Sequence, residues 1–244
     1  MRLILDEPLP GAWNMAVDEA LLESAAHGQT PTLRIYRWSE PTLSLGYFQD
    51  YGERQQHPSS LDCPVVRRSS GGGAILHDRE LTYSFTAPIA DRMAADVRGL
   101  YHKIHGSIVE TLGNFGISAR MREAAESVTK GPEPFLCFLR RADGDVVVGE
   151  RKVAGSAQRR RRQAVLQHGS FVLRRSEFAP EVLGVQDLAD EQIEEEGLLR
   201  CWLDNLSHCL EVTFRPDRLT DEEKDLATRL LQQKHGHATW LHKR

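Results

Sequence analysis

"RRSSGGGAILHDRELTYSF", residues 67–85, sets two arginines and two serines ahead of three glycines, then an apolar triplet, then His77 and Asp78. Glycine triplets mark backbone that must turn sharply or come very close to something, because glycine reaches conformations closed to other residues. Both flanks read as strands: "PVVRR" before the glycines, and "AILHD" and "LTYSFTA" after them. The stretch lacks the Gly-Lys-Ser/Thr ending of a phosphate-binding loop. Nor does it have the GxGxxG spacing and following helix of a dinucleotide site. Read as structure alone, it is a bulge or tight loop between strands. Read as a site, it is bare backbone held against an apolar or anionic ligand, with Arg67 or Arg68 close by.

Upstream, "TLRIYRW" and "TLSLGYF" read as two strands around a turn at "SEP". Ahead of them, "GAWNMAVDEALLESAA" spaces Trp13, Val17, Leu21 and Leu22 along one side of an amphipathic helix. Downstream, "VRGLYHKIHGSIVETLGNFG" predicts a helix that stops at Gly113 or Gly116. "DGDVVVGERKVAGSAQ" predicts a hairpin turning at Gly149-Glu150, and "AVLQHGSFVL" a further strand. Two helices close the chain, "EQIEEEGLLRCWLDNLSHCLEV" and "TDEEKDLATRLLQQKHG". In the second, Thr220 and Glu223 have capping-box spacing and Gly236 suits a helix stop. Strands cluster centrally and helices do not alternate with them. That pattern predicts an α+β fold with a mixed, mostly antiparallel central sheet flanked by helices, as one domain over residues 1–244.

The chain has 244 residues, 40% hydrophobic and 27% charged, which is ordinary globular composition with enough length for a substantial core. The opening "MRLILDEPLPG" breaks its apolar run at Asp6 and Glu7, and no stretch approaches a membrane span. No membrane partner is expected, and cytoplasmic residence follows. Of the four cysteines, Cys63, Cys137, Cys201 and Cys209, no pair has CxxC spacing and none joins a histidine array, so no metal site is expected. In the cytoplasm they stay thiols. Cys63, beside Pro64, and the helix-core positions Cys201 and Cys209 read as small buried apolar residues.

The net charge of −4 hides an asymmetry, since residues 151–175 carry eight Arg or Lys and no acid, whereas residues 187–196 carry six acids and no base. The basic stretch, with its run Arg159–Arg162, is either a solvated loop or a docking face for a polyanion or an acidic protein. In the same stretch Lys152 lies on a predicted strand, with the small residues Gly155, Ser156 and Ala157 just beyond it. A half-buried strand lysine must be solvated or paired. It is either an edge-strand surface residue or a fixed cation facing a carbonyl or phosphate. Cys137 stands in the apolar stretch "PEPFLCFLRRADGD" shortly before the hairpin. An ammonium brought beside a thiol lowers its pKa and makes it a nucleophile.

Four motifs in combination, "GAWNMAVDEALL", "LRIYRWSEPTLSLGYFQ", "RRSSGGGAILHDRELTYSF" and "GERKVAGSAQRRRRQAVLQHGSFVL", resemble the lipoate/octanoate protein ligase–transferase family, whose catalytic domain is related to that of biotin protein ligase. A weaker echo is "HGHATWLHKR". The resemblance covers essentially residues 3–244. It implies that the glycine loop lines a tunnel for an eight-carbon acyl chain, and that Lys152 binds the acyl carbonyl or acyl-adenylate. The substrate-lining positions it implies are Arg68, Ser70, Gly71, Gly72, Gly73, Ala74, Ile75, Leu76, His77, Gly155, Ser156, Ala157 and His168.

The family divides by chemistry. Its ligases activate free lipoate with ATP and Mg²⁺. Its octanoyltransferases pass octanoate from acyl carrier protein through a cysteine to a lysine of a lipoyl domain, that of glycine cleavage H protein or a 2-oxoacid dehydrogenase E2. "HDRELTYSF", Cys137 in its "CF" pair and the absence of an accessory domain after residue 244 favour the transferase branch, with Cys137 and Lys152 catalytic and no cofactor. Under the ligase alternative Arg68, Gly73 to Leu76 and Lys152 hold the adenylate and Cys137 is a bystander. A remoter alternative is a non-catalytic acyl- or nucleic-acid-binding module using Arg159–Arg162, but the chain lacks the aromatic platform of single-strand binders. No nucleic-acid partner is therefore expected, and a monomer is.

Overall fold

The strands on either side of the glycines fall into two sheets. In the computed structural model, which describes residues 1–123 and 133–244, the larger sheet has eight strands. Their order is β11 (Arg215–Pro216), β1 (Arg2–Leu5), β2 (Thr32–Tyr36), β6 (Glu80–Pro88), β10 (Ala164–Val172), β9 (Arg151–Arg161), β8 (Val146–Val148) and β7 (Ala119–Met121). It is antiparallel from β2 to β7, while β1 pairs in parallel with both β2 and β11. The smaller sheet sets β3 (Thr42–Leu45) between β4 (Val65–Arg67) and β5 (Ile75–His77). The helices are α1 (Gly11–Ala26), α2 (Arg92–Ala95), α3 (Val97–Asn114), α4 (Val185–Leu188), α5 (Glu195–Leu210), α6 (Asp221–Leu230) and α7 (Ala238–Leu241). The expected mixed, mostly antiparallel α+β architecture is what forms.

Period-two alternation decides which face goes where. Along β6, Leu81, Tyr83, Phe85 and Ala87 join Ile104, Ile108 and Leu112 of α3 and Trp202 and Leu206 of α5 in the main core. The intervening Thr82 and Ser84 carry polar groups to the other face, where Ser84 bonds Asp18 of α1. Burying each large apolar side chain in that core contributes roughly 1.5–3 kcal/mol. On the α1 side, Ile4, Ala16, Val17, Ala20, Leu21 and Ala227 of α6 form a second cluster. Among the described residues no helix is long and apolar enough to cross a membrane.

The two strands expected around "SEP" do form, as β2 and β3, but they do not pair with each other. Both edges of β2 are occupied by β1 and β6, so the chain crosses over and starts the small sheet. Two local expectations are corrected. Helix α1 is not amphipathic, because the sheet and the C-terminal segment enclose it. Asn14, Asp18 and Glu19 are buried along with its apolar residues. Gly236 has φ −89° and uses no left-handed backbone. The chain instead passes from α6 into a wider turn at Leu231–His235, closed by Gly236 N–H donating to Leu231 O at 2.8 Å. The capping box forms as its spacing predicts, with Glu223 N–H donating to Thr220 Oγ1 at 3.2 Å and Thr220 N–H to Glu223 Oε2 at 2.9 Å. Helix α3 ends at Asn114, and Gly116 takes the left-handed conformation, φ +73°.

Candidate active site

The glycine loop and Cys137 are joined by backbone. Ala74 N–H donates to Phe135 O at 3.0 Å and Cys137 N–H donates to Ala74 O at 2.7 Å. The thiol therefore sits on a short helical turn, Cys137–Leu139, fastened to the end of the glycine run. Within that run Gly72 has φ +93°, and a Cβ there would stand 4.0 Å from the Cys137 Sγ. Glycine suits this position by its conformation, and a Cβ would also press on the Arg68 Nη2 at 3.1 Å.

Lys152 reaches the thiol from the hairpin. Gly149 makes the turn at φ +56°, and an irregularity in the β8–β9 pairing between Val146 and Val147 sets Lys152 opposite Val147. Its Nζ lies 3.8 Å from the Cys137 Sγ and 2.9 Å from Asp145 Oδ1. It also lies 5.4 Å from the centre of the Phe138 ring. Burial works against the ammonium, yet the thiolate of Cys137 and the carboxylate of Asp145 together hold the Lys152 pKa above its ordinary value. Gly155 makes space for this side chain, since a Cβ there would stand 2.4 Å from the Lys152 Cε.

Arg68 braces the loop from beneath. One guanidinium nitrogen donates to Gly71 O at 2.8 Å and Gly73 O at 2.6 Å, and the other to Ser44 O at 3.0 Å. Burial pulls this cation down to about 10, the thiolate of Cys137 opposing and Arg140 assisting. A second network lies behind the loop. Ser70 Oγ bonds His168 Nε2, and His168 Nδ1 is 3.4 Å from Asp18 Oδ2. Asp18 also takes Arg34 at 3.0 Å, Tyr36 OH at 2.9 Å and Ser84 at 2.8 Å. Burial alone would raise the Asp18 carboxyl, but hydrogen bonding from His168 and the Arg34 charge leave it below its usual range.

A cavity of about 310 Å³ opens between these groups, lined among others by Arg68, Gly71, Gly72, Ile75, His77, Cys137, Lys152, Gly155, Ser156, Ala157 and His168. Of the other expected positions, Ser70 stands behind it through its bond to His168. Gly73 meets Arg140, and Ala74 and Leu76 pack into a separate apolar cluster with Leu43, Leu45 and Phe135. Leu76 points away because strand alternation sends Ile75 and His77 to the cavity side. Sequence reasoning missed Met15, Tyr36, Phe138, Thr82 and Ser170 in the lining, and Asp145 and Asp18 as partners. The acidic pair Asp18-Glu19 inside the apolar run of α1 was the available signal, since buried carboxylates demand partners.

The Arg159–Arg162 run is not a loop but the end of β9 and its turn. Arg161 pairs with Glu19 at 2.6 Å and Glu23 at 2.9 Å, and Arg162 with Glu23 at 3.3 Å. Arg159 donates to Ser69 O, and Arg160 is exposed. Cys201 and Cys209 are only partly buried, not core: on α5 they face Asn114 at 3.4 Å and Glu110 at 3.9 Å respectively. Cys63 is buried, as its position beside Pro64 implies.

Residues 10–221 match the lipoyl protein ligase A/B catalytic domain. The chain belongs to this family. Among its relatives, the octanoyltransferase LipM of Carboxydothermus hydrogenoformans is 34% identical over 95% of this chain and 94% of its own. LipM of Bacillus subtilis is 30% identical over 96% and 94%. Among solved structures, lipoate-protein ligase A bound with ATP superposes with a TM-score of 0.80 at 26% identity, covering 99% of this chain and 98% of that one. The bi-partite lipoate protein ligase of Thermoplasma acidophilum shares the fold, with a TM-score of 0.77 at 24% identity, covering 99% and 96%. The lipoyl protein ligase A/B fold thus carries here a thiol and an ammonium at contact distance inside its cavity.

Proposed function

We propose that this protein is an octanoyltransferase of protein lipoylation, working through an acyl-enzyme on Cys137. The observation that carries the reading is the Sγ–Nζ separation of 3.8 Å at the wall of a cavity lined by glycine backbone. The LipM relatives, aligned over almost the whole chain, are named for this activity. The donor is octanoyl-acyl carrier protein, and the acceptor is a lysine of a lipoyl domain, that of glycine cleavage H protein or a 2-oxoacid dehydrogenase E2.

The Cys137 thiolate, stabilised by the Lys152 ammonium, attacks the donor thioester carbonyl. The Sγ–C bond forms, the donor's C–S bond breaks, and the departing thiolate takes up a proton. Lys152 stands beside the oxygen on which negative charge develops, the kind of electrostatic help that contributes most to acyl transfer. Gly71 and Gly72 let the octanoyl chain approach bare backbone, where each buried methylene contributes about 0.8 kcal/mol. The neutral acceptor amine then attacks. The N–C bond forms, the Sγ–C bond breaks, and the proton lost by the amine balances the one gained by the donor thiol. The thiolate returns beside Lys152, and no ATP or Mg²⁺ is consumed.

Intact-mass measurement after mixing with octanoyl-acyl carrier protein, without ATP, tests this. One added octanoyl group, mapped to Cys137 and discharged by apo lipoyl domain, is the expected result. Product formation that needs ATP and free acid would overturn it in favour of ligation.

A further inference from the structure

An aromatic, cationic patch adjoins the glycine loop, and nothing in the transfer chemistry uses it. Phe48 is 67% exposed, the most exposed large apolar side chain among the described residues. It lies over the loop, since a Cβ on Gly71 would meet its ring at 3.7 Å. The neighbouring Tyr47 N–H donates to Ser70 O at 2.8 Å, so this segment and the loop are one surface. Three cations gather on it. The Arg159 guanidinium stands 5.4 Å from the centre of the Tyr47 ring, the Lys243 Nζ lies on the same ring, and the Arg244 guanidinium stands 5.4 Å from the Phe48 ring. Unlike Arg161 and Arg162, none of the three has a carboxylate within ion-pair distance among the described residues. An exposed aromatic ringed by unneutralised cations is the composition of a protein-recognition surface.

We infer that Phe48, Arg159, Lys243 and Arg244 form the docking surface for the acceptor, an acidic lipoyl domain. This rests on the transferase reading and names where its second substrate sits. Charge complementarity selects an acidic partner. Reach selects the acceptor over the donor. Phe48 lies beside Gly71, where a Cβ would meet its ring at 3.7 Å, and the next residue, Gly72, is the one whose Cβ would stand 4.0 Å from the thiol. A domain seated there has to extend only a lysine's four-carbon stem to the thioester. An acyl donor delivers its thioester on a long prosthetic arm and needs no surface so close.

The test separates the two half-reactions and adds a binding measurement that needs no catalysis. In Lys243→Glu/Arg244→Glu and in Phe48→Ser, each first shown to unfold at the wild-type temperature, the rate of acylation by octanoyl-acyl carrier protein should be unchanged. KM for the negatively charged apo lipoyl domain of a 2-oxoacid dehydrogenase should rise at least tenfold. The charge-reversal effect should shrink as salt rises. Titrating the same apo domain into Cys137→Ala protein, with and without the charge reversal, should show a matching tenfold loss of affinity. Unchanged affinity, or slowed acylation with normal transfer, overturns the assignment. A wild-type protein that binds the apo domain through this patch yet forms no acyl-enzyme would sink the transferase reading and leave the surface standing.

Discussion

The Nζ of Lys152 and the Sγ of Cys137 stand 3.8 Å apart, one delivered by a strand and the other by a turn fastened to the glycine loop. The pair has a division of labour, nucleophile and fixed cation, so removing the cation should spare the fold. Lys152→Ala is expected to lower the acylation rate by about 10²–10³, and because it leaves the buried Asp145 carboxylate without its ion-pair partner the melting temperature should fall while the protein stays folded. Single-turnover acylation and thermal unfolding measure the two effects. Loss of less than tenfold would remove Lys152 from the reaction.

Thiol reactivity should be confined to one position. Burial pushes the Cys63 and Cys209 thiols above their ordinary value, with nearby carboxylates adding to it, and only the thiolate alkylates. Iodoacetamide is therefore expected to inactivate by modifying Cys137 first, with bound octanoate slowing it, and Cys137→Ser should abolish acyl-enzyme formation. Peptide mapping after limited alkylation would show a different outcome if Cys63, Cys201 or Cys209 reacted at a comparable rate.

Gly155→Ala offers a test of positioning with no charge removed. Its Cβ would stand 2.4 Å from the Lys152 Cε and 2.7 Å from Nζ, so the side chain has to move, and moving it parts the buried Lys152–Asp145 pair. Stability should fall by about 1–3 kcal/mol, while the displaced ammonium costs on the order of 10² in acylation rate. A variant that kept full activity would show that the cation's place is not critical.

Acid should loosen the protein in two windows. Burial lowers His105 to about 4 from 6.5, while its bond to Gly144 O opposes. The unfolded chain therefore binds the proton first, and stability is lost as pH falls from 6.5 to 4. Glu19 sits at about 2 rather than 4.5, because bonds from His235 and Lys234 and the charge on Lys234 outweigh burial. Its contribution is present above 4.5 and is lost as pH falls toward 2. Each window is worth on the order of 3 kcal/mol. Urea unfolding across pH should show His105→Gln flattening the upper window and Glu19→Gln the lower one. Unaltered slopes would contradict these assignments.

What the sequence discloses here follows the range of the forces involved. The Lys152 hairpin, the capping box at Thr220 and the bare loop at Gly71–Gly73 are local, set by turn chemistry and period, and all were legible. The pairing of Cys137 with Lys152 could be posed from the sequence but not decided. The environment of α1 was not legible, because Asp18 and Glu19 are satisfied by Arg34, Tyr36, His168, Lys234 and His235, residues brought together only by the tertiary fold. The same holds for Asp145, which reads as a turn residue until Lys152 lies against it. The two strands around "SEP" were legible but their partners were not, because local pattern cannot report that both edges of β2 are already taken.

The two backbone bonds that join Ala74 to Phe135 and Cys137 make the place of the sulfur depend on the glycine loop. Whatever opens that loop also carries the nucleophile off its mark, so the wall that receives the acyl chain and the atom that would take it up move as one piece.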